Sequence, residues 1–178
     1  MSNQVILWSM ALLPWLTLFL MKRDDIKRFM PVALFGSITS IMIGDIGGTL
    51  KLWAFKESAF PLSHIFTYHL GLAPVLTMWL FRFTYERFWR FIAVDTILNL
   101  GFALIFAPWL AARGIRESIN ATSTSLFLIL TVHGVVLYIY QMWQENALAP
   151  AFKNLFSSKI QPTASKSLFK NKRNRNNR

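Results

Sequence analysis

Five stretches of about twenty residues, each almost free of charge, constrain this chain more than anything else in it. They lie near 4–21, 30–52, 63–82, 90–112 and 122–143. A bilayer core of about 30 Å needs about 20 consecutive apolar residues for one helical crossing. The spacing therefore predicts an all-α, polytopic membrane helical bundle of about five transmembrane helices. Composition agrees. Of 178 residues, 54% are hydrophobic, and 19 Lys and Arg are gathered in blocks rather than spread along surface helices. Aromatics reach 15%, with seven Trp, many at the ends of the apolar runs, where indole and phenol rings sit at headgroup level. The chain has no cysteine, which excludes disulfides, thiolate metal sites, Cys nucleophiles and thiol redox switching.

A signal peptide also begins with a short apolar run, but its basic segment comes first and a small-residue cleavage site follows. Here no basic residue precedes the first run, and MKRDDIKR follows it. An uncleaved first span is expected.

Orientation follows from counting Lys and Arg in the connections. The first loop (Lys22, Arg23, Lys27, Arg28), the third (Arg82, Arg87, Arg90) and the C-terminal tail together hold fifteen of the 19. The other side has Lys51, Lys56, Arg113 and Arg116. This predicts the N-terminus outside and the C-terminus inside (N-out/C-in) a bacterial cytoplasmic membrane.

Residues 1–146 thus form the transmembrane domain. Pro31 is expected in the first turn of the second helix, where its missing N–H costs nothing, and Pro14, Pro74 and Pro108 inside spans. Beyond residue 146, Pro150 would start a short interfacial helix over 147–160, with Phe152, Leu155, Phe156 and Ile160 on one face. Residues 161–178 have too little apolar content to fold. Lys170, Lys172, Arg173 and Arg175 in this basic cytoplasmic tail fit attraction to anionic membrane lipid better than nucleic acid.

The second span is the most informative. Gly36, Ser40, Gly44 and Gly48 recur every four residues, a stripe that lets helices approach closely where lipid supplies little hydrophobic drive. The stripe fits a packing seam inside one chain, a homo-oligomer or membrane-partner seam, or a narrow polar path. Asp45 lies beside it. A carboxylate within a span costs about 2.5–3.5 kcal/mol on insertion scales, which makes it a functional candidate by default. His64 and His69 enter the third span at similar depth, and an Asp45–His69 pair would suit a proton-linked or cation-binding site. The bland reading is a solvated or protonated Asp45 near the outer surface.

Asp95 and Asn99, four apart on the fourth span, share a helix face. They are expected near the cytoplasmic side, where Asp95 would be stabilised by the helix N-terminus or by a snorkelling Arg. His133 is expected near mid-depth on the fifth span. A bis-histidine haem would need a second imidazole at its level, and His69 lies about three residues, or about 4.5 Å of rise, from it. A histidine bonded to a carbonyl is the commoner arrangement, so no cofactor is expected. No HExxH, Walker or GxSxG motif occurs, and no enzyme is expected.

A basic first loop, an Asp-bearing second span, Trp53, Ala73-Pro74-Val75 in the third span, Tyr85 in a short connection, Pro108 closing the fourth span and a terminal YQMW follow one another over about residues 20 to 145. In this layout the chain resembles an uncharacterised family of small membrane proteins of endospore-forming bacteria. The resemblance implies a bacterial cytoplasmic membrane and a link to sporulation; it implies no activity. Two functional classes remain open. One is a non-enzymatic membrane component that packs through helix two. The other is a small proton- or cation-linked transporter or channel using Asp45 and His69.

Overall fold

The computed structural model describes residues 2–62 and 66–159, with backbone alone from residue 147. His64, the 161–178 tail and its Lys170, Lys172, Arg173 and Arg175 lie outside the described residues. The chain divides into two compact units, Met1–Gln141 and Met142–Arg178. It is mostly helical, and four helices are long and apolar enough to cross a membrane: Asn3–Leu20, Arg23–Thr49, Phe88–Ala112 and Ser123–Asn146.

Helix α1 (Asn3–Leu16) tightens after Pro14 into a 3-10 turn, Thr17–Leu20. The Thr17 hydroxyl donates to the Pro14 carbonyl at 2.7 Å. Helix α2 (Arg23–Thr49) starts seven residues before the expected span. Asp24 and Asp25 in its first turn face the positive end of the helix dipole, so the charged segment read as a loop is a good helix start. Pro31 consequently lies inside α2 rather than in its first turn.

The third segment is not the continuous helix expected over 63–82. A 3-10 turn, Thr67–His69, precedes a short α3 (Leu72–Thr84). Pro74 is the third residue of α3, where its absent N–H has no intrahelical partner to lose. Its ring would clash with the carbonyl four residues back if the helix continued upstream. That carbonyl, of Leu70, instead accepts the Trp15 indole N–H at 3.1 Å. Gly71 lets the broken segment press against α1, since a Cβ there would collide with the backbone carbonyls of Met10 and Ala11.

The candidate span Phe88–Ala112 is α4 (Phe88–Gly101), a π-helical turn over Phe102–Phe106, and α5 (Ala107–Ala112). Pro108 follows the wide turn, a usual way for a helix to absorb a missing donor. Helix α6 runs unbroken over Ser123–Lys159. Residues 147–159 therefore continue the helix that begins at Ser123, and Pro150 does not start a separate one. The fold is also not purely helical. Strands β1 (Trp53–Phe55) and β2 (Arg116–Ser118) pair antiparallel, with Ala54 opposite Glu117.

Side-chain ties place the connections at two ends of the Met1–Gln141 unit. At one end Asn3 donates to Glu57 at 2.6 Å and to the Arg113 carbonyl at 3.1 Å, and Asn120 donates to the Lys51 carbonyl. At the other, Arg82 pairs with Asp25 at 3.3 Å and bonds the Leu20 carbonyl, while the Tyr138 hydroxyl donates to the Tyr85 carbonyl. Phe29, Val32, Met78, Phe81, Phe91 and Leu137 form the buried core near this second end. Leu12, Ile38, Met42, Ile105 and Val132 are each more than half exposed. Large apolar side chains exposed in this number fit a protein whose helices meet a membrane.

Candidate functional site

The small residues of α2 turn mostly inward. A Cβ on Gly36 would meet the Leu137 side chain at 3.1 Å, and one on Gly44 would meet His69 Nε2 at 3.3 Å. Four-residue spacing drifts by about 40° per step on a helix of 3.6 residues per turn. The stripe therefore winds away from the interior, and Gly48 is exposed, with only the Trp53 carbonyl within 4.0 Å of a Cβ position.

Two hydroxyls on α2 orient two histidines. Ser40 donates to the Ser37 carbonyl at 2.9 Å, so the His69 Nδ1–H donates to Ser40 Oγ at 2.9 Å. Thr39 donates to the Phe35 carbonyl at 2.8 Å, and the His133 Nε2–H donates to Thr39 Oγ1 at 2.7 Å. Each ring is thereby held by one nitrogen.

Asp95 is buried within the helix bundle. It is 6% exposed, and its Oδ2 accepts from Asn99 Nδ2 at 2.8 Å. It packs on Gly134, the residue after His133. Asp95 is the eighth residue of the 25-residue span Phe88–Ala112, about a third of the way along from the end near Tyr85. No arginine pairs with it among the described residues, and Arg82, the expected kind of partner, pairs with Asp25. Asp45 has the opposite fate. It is exposed, on the outward face it shares with Met42 and Ile46. Among the described residues no hydrogen bond or ion pair joins it to His69; the partner of His69 is Ser40.

These groups surround one cavity of about 170 Å³ within the Met1–Gln141 unit. Ser40, His69, Asp95, Asn99 and His133 line it from α2, the broken third segment, α4 and α6. The polar groups that lie scattered along the sequence thus converge. The turn carrying His69 lines this cavity.

Three lining residues are not singled out by sequence reasoning. Tyr68 packs on Phe102 and Phe106, with ring centroids 5.0 and 6.1 Å away, and so wedges against the π-turn. Gly134 makes room for Asp95. Arg116, counted only as a loop charge, is 5% exposed, bonds Ser118 Oγ at 3.0 Å and lies 5.6 Å from the Trp53 ring centroid. Burial pulls its pKa down from the usual guanidinium value. The one sequence signal for it is its place at the edge of an apolar run.

Chemically, the arrangement offers one buried carboxyl group, two imidazoles and the Arg116 guanidinium inside largely apolar walls. It can hold a proton or a positively charged group. No protein family, curated protein or solved structure matches the chain.

Proposed function

We propose that this is a small proton- or cation-linked membrane transporter whose solute site is the cavity around Asp95, His69 and His133. The observation that carries the reading is the convergence of these side chains from three separate segments on one cavity. Apolar cavities with a few convergent polar groups are the usual form of a binding site. Broken membrane segments beside such a cavity are a recurring feature of transporters.

In this reading the broken third segment is a fifth crossing, since it runs from the end that holds Glu57 to the end that holds Tyr85. The fifteen-to-four division of Lys and Arg then puts the N-terminus outside and the basic C-terminal tail at the inner face of a bacterial cytoplasmic membrane. A role in sporulation rests on the family resemblance alone. Assembly with a partner through helix two has less behind it, because Gly36, Ser40 and Gly44 face Leu137, His69 and Phe55 of the same chain.

The test is reconstitution in liposomes with a pH-sensitive dye inside and an imposed potassium-diffusion potential. Wild type is expected to move protons, and Asp95→Asn to stop. A silent wild type, or an Asp95→Asn protein as active as wild type, would leave the membrane-component reading in its place.

A further inference from the structure

We infer that the solute is an organic ammonium ion with an apolar body, held by Asp95 against the aromatic wall of the cavity. This deepens the proposed function and rests on the cavity being the solute site.

Beside Asp95, charge favours a cation. Asp95 is the one acidic residue among the described residues that line the cavity. Asn99 bonds Oδ2, and among the described residues no donor reaches Oδ1. The other charged lining residue, Arg116, bonds Ser118 Oγ and lies against the Trp53 ring. Among the described residues no ion pair joins it to Asp95. A buried carboxylate without a fixed counter-charge is costly until a proton or a cation joins it, and it repels an anionic solute.

The walls then choose among cations. A hard metal ion needs about six oxygen ligands to replace its water. Among the described residues no three His, Asp or Glu side chains come together to hold a metal. Around Asp95 the lining is instead Tyr68, Phe91, Phe102 and Leu98. Aromatic faces attract cations through the ring quadrupole, most effectively when the cation carries little water. An alkyl or aryl ammonium matches this surface. Its N–H group can donate to Oδ1 while its hydrocarbon part covers the rings.

Binding to the full chain in phosphatidylcholine nanodiscs tests this, with calorimetry as the readout. The probes are 2-phenylethylammonium, neutral 2-phenylethanol, anionic 3-phenylpropionate and sodium chloride. Saturable binding of the ammonium alone is expected, weakened at least about tenfold by Asp95→Asn, as for loss of a desolvated charge partner, and unchanged by Asp45→Asn. Phe102→Leu, which keeps an apolar wall but removes the ring, is expected to weaken it about threefold or more, and it decides the matter if Asp95→Asn does not fold. Equal binding of the ammonium and the alcohol, binding of the anion or sodium alone, or an ammonium affinity indifferent to both substitutions overturns the inference. Proton flux without ammonium binding would overturn it while leaving the transporter reading intact. Absence of both would remove the two together.

Discussion

A Cβ on Gly134 would stand 2.5 Å from Oδ2 of Asp95 and 2.6 Å from Oδ1. The carboxylate occupies the space that any side chain at 134 would fill. Gly134→Ala is therefore expected to displace Asp95, cost about 1–3 kcal/mol through overpacking, and abolish flux. Thermal unfolding and the liposome assay check this together. A variant with normal stability and normal flux would mean that the two helices do not meet there.

Gly71 and Gly101 make a matched pair. A Cβ on Gly71 meets backbone atoms of α1, which cannot turn aside, whereas nothing lies within 4 Å of a Cβ on Gly101. Gly71→Ala is expected to lower the unfolding temperature strongly or prevent purification. Gly101→Ala is expected to be neutral, or more stable by up to about 1 kcal/mol from helix propensity. Similar unfolding temperatures for the two would contradict the close approach of the broken segment to α1.

Glu57 ties the N-terminus to the second connection. It accepts from Asn3 at 2.6 Å and from Gln4 at 3.0 Å. Its loss in Glu57→Ala is expected to cost about 1 kcal/mol, the usual net value of such bonds. The first turn of α1 would fray, and a protease directed at it should cut faster than in wild type. An unchanged cleavage rate would show that the tie contributes nothing.

The chain has no cysteine, so orientation can be read with single introduced thiols and an impermeant maleimide. Lys56→Cys, half exposed beside Glu117, is expected to label in intact cells. Lys22→Cys, exposed at the opposite end, is expected to label only after permeabilisation. The reverse pattern would invert the topology.

Much of the scaffold is legible from hydropathy, because a crossing helix must be long and apolar whatever its neighbours are. The stop at the third segment is not. Pro74 and Gly71 are visible in the sequence, but only the docking of Leu70 on Trp15 and of Gly71 on α1 makes a break there stable. The choice between the two carboxylates is lost for a related reason. Helix α2 is apolar nearly all round, so sequence does not reveal which face looks inward, and Asp45 beside the glycine stripe reads as the buried one. The burial of Asp95 is not legible either, because it depends on Gly134, a contact distant in sequence. The residue pair Asp95 and Asn99 is readable from spacing; the cavity that gives it a use is not.

That exchange of roles between the two carboxylates is the central claim, and one side-by-side measurement addresses it. Proton uptake into liposomes should be followed for wild type, Asp95→Asn and Asp45→Asn at equal protein content. The buried position of Asp95 and the exposed position of Asp45 imply that Asp95→Asn stops uptake while Asp45→Asn keeps at least about half of it, a rate change worth no more than about 0.4 kcal/mol. Uptake that survives in Asp95→Asn and disappears in Asp45→Asn would contradict the claim.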